Sequence, residues 1–252
     1  GGPKVFAAGA DVKQMADATP MTAARTAEQG QQINELIESI GLPVIAAFNG
    51  ISNLKFRGFL KVCNRRAAAY SCHQLDRYLA TGRPTVINLL SMEEREGKSF
   101  LAKYFADHWA SVGLRTRIVK HDVDFETNDK KYVRAQQLSD FWQLNSAEQI
   151  PDIILVEYPS ISTASLPLTV LKQADVNLLI ANACRLWGKN DDINLKSIKE
   201  MLGDTPLSLY LNNADREVVE SFTGELPPKT PLHSFVSRLS QLGLTAKKAA
   251  VK

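Results

Sequence analysis

The loop that ends in Gly97-Lys98-Ser99 is the strongest constraint on what this chain can fold into. It follows an apolar, strand-like run at 85–90 and opens a helix-like run at 100–112. A strand, a loop ending in Gly-Lys-Ser and a helix together are the setting of a phosphate-binding P-loop. There, backbone N–H groups at the start of the helix bind an anion, the lysine reaches the phosphates and the serine holds Mg²⁺.

The first half of this loop departs from the P-loop pattern. The motif G-x-x-x-x-G-K-[ST] has glycine where this chain has Met92. Glu93, Glu94 and Arg95 fill the part of the loop that is usually small, and the two glutamates carry the same charge sign as a polyphosphate. On these residues alone, a phosphate site and an ordinary helix start both remain open.

Strand-like segments alternate with helical stretches along residues 51–252, which predicts one α/β unit. This alternation favours a mainly parallel sheet with helices on both faces. The helix after Ser99 has a broad apolar stripe, which we interpret as core packing and not as a cofactor site. The strand-like segments are 85–90, 116–120, 153–157, 176–181 and 207–211.

Residues 1–50 have a different pattern and are predicted to be a separate, short α/β fragment. Apolar residues at helical spacing predict a helix over 21–40, ended by Gly41, and a short buried strand over 43–48. We therefore divide the chain into 1–50, a basic linker over 51–82, and a P-loop domain over 83–252.

The linker 51–82 carries the one charge anomaly of the chain, with six Lys and Arg against one Asp. Basic side chains within 55–66 are interleaved with apolar ones, so this segment could contact an anionic membrane surface or be a solvated surface helix. We expect no nucleic-acid partner. The three cysteines have no metal-ligand spacing and predict reduced thiols in a cytoplasmic protein. The chain has no initiator Met, no signal peptide and no apolar run of about 20 residues, so we expect a fragment or processed product without a membrane span.

Two stretches at the start of the chain resemble the crotonase (enoyl-CoA hydratase/isomerase) family. They are Gly1-Gly2-Pro3-Lys4-Val5-Phe6-Ala7-Ala8-Gly9-Ala10-Asp11-Val12-Lys13 and Pro43-Val44-Ile45-Ala46-Ala47-Phe48-Asn49-Gly50. The resemblance implies that Ala10 would give one N–H to an oxyanion hole. It stops at Ile51, before the second N–H donor and the acid/base glutamates, so we expect a truncated segment without hydratase or isomerase activity.

Four motifs in the rest of the chain resemble, in the same order, the cytosolic domain of bacterial tyrosine kinases. This family is linked to chain-length control in capsular and exopolysaccharide export. The motifs are Ser91 with Glu96-Gly97-Lys98-Ser99, then Ile118-Val119-Lys120-His121-Asp122-Val123-Asp124, then Asp152-Ile153-Ile154-Leu155-Val156-Glu157-Tyr158-Pro159, and Ala174-Asp175-Val176-Asn177-Leu178-Leu179-Ile180.

The resemblance implies a role for each residue of the predicted site. Catalytic roles fall to Lys98, Asp122 and Asp124, which would act on the phosphates, the magnesium ion and the attacking hydroxyl. The nucleotide would be bound by Glu96, Gly97, Lys98 and Ser99. The Mg²⁺ ligands would be Ser99, Asp122 and Glu157.

The chain also departs from that family. Glu94 stands in place of proline, Arg95 in place of glycine, Glu126 in place of arginine and Glu157 in place of aspartate. No tyrosine follows Tyr210 in this sequence, so we expect it to lack the family's tyrosine-rich C-terminal tail.

The resemblance therefore leaves two functions open. One is an ATP-dependent tyrosine kinase that uses ATP and Mg²⁺. The other is a nucleotide-free scaffold that docks a membrane polysaccharide co-polymerase, in which Lys98 is neutralised by the acids around it. Either form could be a homo-oligomer at the inner face of the membrane.

Overall fold

A computed structural model describes residues 37–38, 40–49, 57–144 and 149–224. These residues contain one sheet of six strands in the order β1-β6-β5-β2-β4-β3. All pairings in it are parallel. The strands are β1 (Val44–Asn49), β2 (Thr85–Leu90), β3 (Thr116–Lys120), β4 (Ile153–Glu157), β5 (Val176–Asn182) and β6 (Leu207–Ala214).

The parallel α/β fold and each predicted strand are thereby confirmed. Strands β5 and β6 run further than the apolar pattern predicted. The prediction for β5 ended at 181 and that for β6 at 211, where polar asparagines begin. In the structure Asn182 pairs in register with Asn212, so the backbone ladder continues after the apolar run has ended.

Helices connect the strands on both faces of the sheet. They are α1 (Arg57–Leu75), α2 (Lys98–Ser111), α3 (Lys130–Val133), α4 (Leu168–Leu171), α5 (Lys189–Leu202) and α6 (Arg216–Thr223). The connection from β2 through α2 runs toward the β3 edge of the sheet, whereas the connection from β5 through α5 runs toward the β1 edge. Because crossover connections are right-handed, α2 and α5 lie on opposite faces. Contacts of α1 with both β1 and α2 place it on the α2 face.

The apolar stripe predicted on the helix after Ser99 is part of the core. Leu101, Phe105 and Trp109 of α2 are buried against the sheet. Val112, the last residue of the helix-like run predicted over 100–112, is exposed because the helix ends at Ser111. Central strands β2, β4 and β5 are mainly apolar and almost entirely buried, as expected where both faces of a parallel sheet are covered.

Strand β1 is an integral part of the sheet, although it precedes the predicted boundary at residue 50. It pairs with β6, and its Phe48 is fully buried. The strand predicted over 43–48 is confirmed as Val44–Asn49, and Gly41 ends the helical residues before it with a bond from Gly41 N to Ile37 O (3.0 Å). Ala10 and most of the helix predicted over 21–40 lie outside the described residues. The domain boundaries themselves stay a prediction.

The described part of the basic segment is helix α1, which packs through its small apolar face. Cys63, Ala67, Cys72 and Leu75 are buried there. Lys61, Arg65 and Arg66 lie on the exposed side. Among the described helices, none combines the length and apolar character needed to cross a bilayer.

Candidate functional site

The loop 91–97 lies at the switch point of the sheet. After β2 the chain turns toward the β3 edge of the sheet, whereas after the neighbouring strand β5 it turns toward the β1 edge. In open parallel sheets such a point leaves a crevice at the carboxyl ends of the strands, where ligands bind. The loop starts at this crevice, and α2 begins directly after it at Lys98.

Backbone N–H groups line this loop without protein acceptors. Within the part of the chain that the structure describes, the N–H groups from Glu94 to Ser99 donate no well-formed hydrogen bond to a protein acceptor. They precede and open α2, where the helix dipole also favours negative charge. Arg95 has a φ of 61°, in the left-handed region that glycine adopts readily. The tyrosine kinase pattern has glycine at this position. The arrangement suits a phosphate group.

Lys98 is buried at this site without a carboxylate partner. Lys98 is 6% exposed, and its Nζ donates to Ser91 Oγ at 2.5 Å. Burial lowers the pKa of Lys98, while Glu157, Glu96 and Glu94 act in the opposite direction. No ion pair of Lys98 occurs within the described ranges. A buried ammonium of this kind is stabilised by an anion that enters the site.

Ser99 and Glu157 are brought together, as the predicted metal site requires. Ser99 Oγ donates to Glu157 Oε1 across the carboxyl ends of β2 and β4. Glu157 is 5% exposed, and its Oε2 is buried with no hydrogen-bond partner. A hydroxyl and a carboxylate are oxygen ligands of the kind that Mg²⁺ prefers. Mg²⁺ takes its remaining ligands from water and phosphate, so these two residues fit it. The described residues hold no cluster of three or more metal-ligating side chains.

The two aspartates after β3 have different surroundings. Asp122 has an exposed side chain (73%) that contacts His121 Nδ1 at 2.8 Å. Asp124 is only 13% exposed, because its carboxylate accepts from Arg117 Nη2 at 2.7 Å and from Lys120 N at 2.8 Å. Asp124 therefore holds the turn after β3. The catalytic roles of both residues stay predictions.

Two residues that the sequence analysis missed fix the loop from the neighbouring strands. Arg185 follows β5, and its Nε donates to Glu96 Oε1 at 2.7 Å. Asn212 of β6 donates from Nδ2 to Glu96 O at 2.9 Å. The one signal in the sequence was their position at the carboxyl ends of predicted strands. The segment after β4 adds a bond from Ile161 N to Ser91 O (2.9 Å).

Gly97 makes the contact of Asn212 possible, and a side chain there should be costly. Its φ is 103°, and an added Cβ would lie 2.0 Å from Asn212 Nδ2. We expect Gly97→Ala to lower the free energy of unfolding by about 2–3 kcal/mol, from backbone strain and the loss of one hydrogen bond. Urea denaturation measures this change.

The matched control is Gly113→Ala, since Gly113 also has a positive φ (89°) but open space around its Cβ position. It should lose only the backbone contribution, about 1–2 kcal/mol. Combining Gly97→Ala with Asn212→Ala should lower the free energy of unfolding by less than the sum of the two single changes. Equal losses at Gly97 and Gly113 would contradict the proposed clash.

The described residues thus form a parallel α/β domain with a phosphate-loop geometry at its switch point. The kinase domain of the Escherichia coli tyrosine kinase ETK aligns with a TM-score of 0.51 and 14% identity, over 73% of this chain and 94% of that domain. The chimerical protein CapA2B2 aligns with a TM-score of 0.50 and 15% identity, over 73% of this chain and 99% of its own. The chain therefore has the fold of bacterial tyrosine kinase domains, which confirms the resemblance at the level of fold.

Residues 1–54 match the family model of enoyl-CoA hydratase/isomerase. This match confirms the crotonase resemblance and confines it to about the stretch where the motifs were found. No curated protein sequence is significantly similar to the chain.

Proposed function

We propose that this chain is a P-loop domain that binds Mg·ATP and transfers its terminal phosphoryl group to a tyrosine hydroxyl. Two observations carry the proposal: Lys98 is buried and forms no ion pair among the described residues, and the N–H groups from Glu94 to Ser99 donate no hydrogen bond there. Both features favour a ligand with several negative charges.

The residues of the site have separate tasks in this proposal. The loop N–H groups and Lys98 bind the phosphates, while Ser99 and Glu157 hold the metal side of the nucleotide. Magnesium, when bound, neutralises charge on the phosphoryl oxygens. Asp122, at the end of β3, is exposed and placed at the same sheet edge as Glu157, since His121 N donates to Glu157 O at 3.1 Å. It is our candidate for orienting the attacking hydroxyl.

Calorimetric titration with ATP tests the proposal, with Mg²⁺ and with EDTA in its place. A protein that binds neither form would contradict it. Incubation with radiolabelled ATP and a Glu/Tyr copolymer then tests the transfer step. Label on tyrosine is expected, and binding without transfer would limit the proposal to a nucleotide-binding domain.

Ser99→Ala should separate the metal contribution from the rest of the binding energy. We expect Mg·ATP affinity to fall by about 10-fold or more, because a ligand to a charged group is lost. Affinity for ATP in EDTA should stay within about 2-fold, since the N–H groups and Lys98 remain. Ser111→Ala, at the exposed end of the same helix, is the control and should leave both affinities unchanged. An equal loss with and without Mg²⁺ would contradict a metal role for Ser99.

The alternative is a nucleotide-free scaffold, and one observation favours it. Asp124, a predicted catalytic residue, is already engaged by Arg117 and Lys120. In this function the domain would dock a membrane polysaccharide co-polymerase at the inner face of the membrane, with the exposed basic side of α1 toward anionic lipid. Binding of the protein to vesicles that contain phosphatidylserine, together with no response to Mg·ATP, would support it.

A further inference from the structure

We propose that Arg185 is a positioning residue of the phosphate loop and acts through the carboxylate of Glu96. The inference deepens the proposed nucleotide function, but its first test does not depend on nucleotide binding. Met92, Glu93, Glu94 and Arg95 occupy the loop half where the P-loop pattern has glycine and small residues, so backbone preference alone does not shape it.

Glu96 supplies the missing constraint from inside the loop. It is 1% exposed, and its Oε2 accepts from Met92 N at 3.0 Å and from Glu93 N at 3.3 Å. Its side chain thus closes the first half of the loop. The N–H groups from Glu94 onward are left free for a ligand. The carboxylate of Glu96 is therefore used to hold the loop.

Arg185 stabilises the buried carboxylate of Glu96 and fixes its orientation. Burial raises the pKa of Glu96, whereas the hydrogen bond and charge of Arg185 oppose that rise. The bond joins Arg185 Nε to Glu96 Oε1 at 2.7 Å, so each carboxylate oxygen has its own partner. Without Arg185, the buried charge would lose its counter-ion, and removal of one partner of a buried pair is strongly destabilising locally.

Asp191 anchors the guanidinium to a rigid element. Arg185 Nη1 donates to Asp191 Oδ2 at 2.8 Å and Nη2 donates to Oδ1 at 3.1 Å, a bidentate pair. The same aspartate accepts from Gly188 N at 2.7 Å at the start of α5. Hydrogen bonds through Glu96, Arg185 and Asp191 therefore connect the phosphate loop to helix α5 on the other face of the sheet.

Hydrogen exchange of the Met92 and Glu93 amides tests this connection directly. In Arg185→Gln we expect both amides to exchange at least about 10-fold faster than in the unaltered protein, while amides of β5 and α5 keep their protection. Arg185→Lys keeps the charge but not the fork, and should give an intermediate rate. Unchanged exchange at both amides, or loss of protection spread equally over β5 and α5, would overturn the proposal.

Arg83→Gln is the matched control. Arg83 also makes a two-bond pair with an aspartate, Asp175, at 2.9 and 2.5 Å, but at the opposite end of β2 and β5. Its loss should leave the loop amides unchanged.

Mg·ATP affinity is the second measurement, and it separates this inference from the proposed function. We expect about 10- to 100-fold weaker binding in Arg185→Gln and no change in Arg83→Gln. If the unaltered protein binds nucleotide and Arg185→Gln binds it equally well, the positioning role is wrong. If the unaltered protein binds none, the proposed function fails, and the exchange rates alone decide whether Arg185 holds the loop.

Discussion

Lys98→Ala is expected to weaken Mg·ATP binding at least about 100-fold and to leave the fold intact. Lys98 is buried at the start of α2, and its ammonium donates to Ser91 Oγ and not to a carboxylate. Burial lowers the pKa of Lys98, so holding its charge costs the protein free energy when no ligand is bound. Its removal should therefore not lower the melting temperature. Calorimetry and thermal denaturation of the same samples measure the two effects.

Lys103→Ala is the matched control, since Lys103 lies on the same helix with an exposed side chain. It should bind Mg·ATP as the unaltered protein does. Retained binding in Lys98→Ala would rule out a P-loop mechanism. Loss of binding together with a large drop in melting temperature would mean that Lys98 supports the fold and would contradict the role given to it.

Phe48→Ala is expected to lower the free energy of unfolding by about 3–5 kcal/mol. Phe48 is fully buried in β1. Its ring lies 6.0 Å from Phe100, 5.4 Å from Tyr104 and 5.7 Å from Tyr210, measured between centroids. The change leaves a cavity among aromatic side chains of α2 and β6 that cannot readily collapse. Urea denaturation measures it.

The control is Leu186→Ala, which removes an exposed apolar side chain and should change stability by less than about 0.5 kcal/mol. A loss below about 1 kcal/mol in Phe48→Ala would mean that β1 is an appendage of the domain. The predicted boundary at residue 50 would then describe two separate units. The expected loss would place Val44–Asn49 within the cooperative core, although the crotonase match includes it.

The fold was largely predictable because its strands are apolar runs of ordinary length. Burial on both sheet faces makes segments such as 85–90 and 153–157 mainly apolar, and the helices between them imply parallel pairing. The extension of β6 through Asn212 was not predictable in this way, because the ladder depends on backbone atoms and is independent of side-chain polarity.

The site was predictable where its residues are close in sequence. Lys98 and Ser99 follow from one local motif and one strand before it. Arg185 lies 89 residues from Glu96, and Asn212 lies 116 residues from it, so only the folded sheet brings them together. Asp124 differs for another reason. The sequence gives a pair of acids after a strand, but it does not tell which one turns back to bind the strand's own Arg117.

The pairing of β1 with β6 has a consequence for the order in which the protein can fold during synthesis. Of the described strands, β1 is made first and its partner β6 is made last. About 160 residues separate Asn49 from Leu207, so at roughly 5–20 residues per second β1 waits about 10–30 s for its neighbour. During that time an apolar strand has unpaired N–H and C=O groups, which is the state that favours misassociation between nascent chains. The central strands can pair earlier, and closing the sheet edge is therefore the late step on which productive folding of the nascent chain depends.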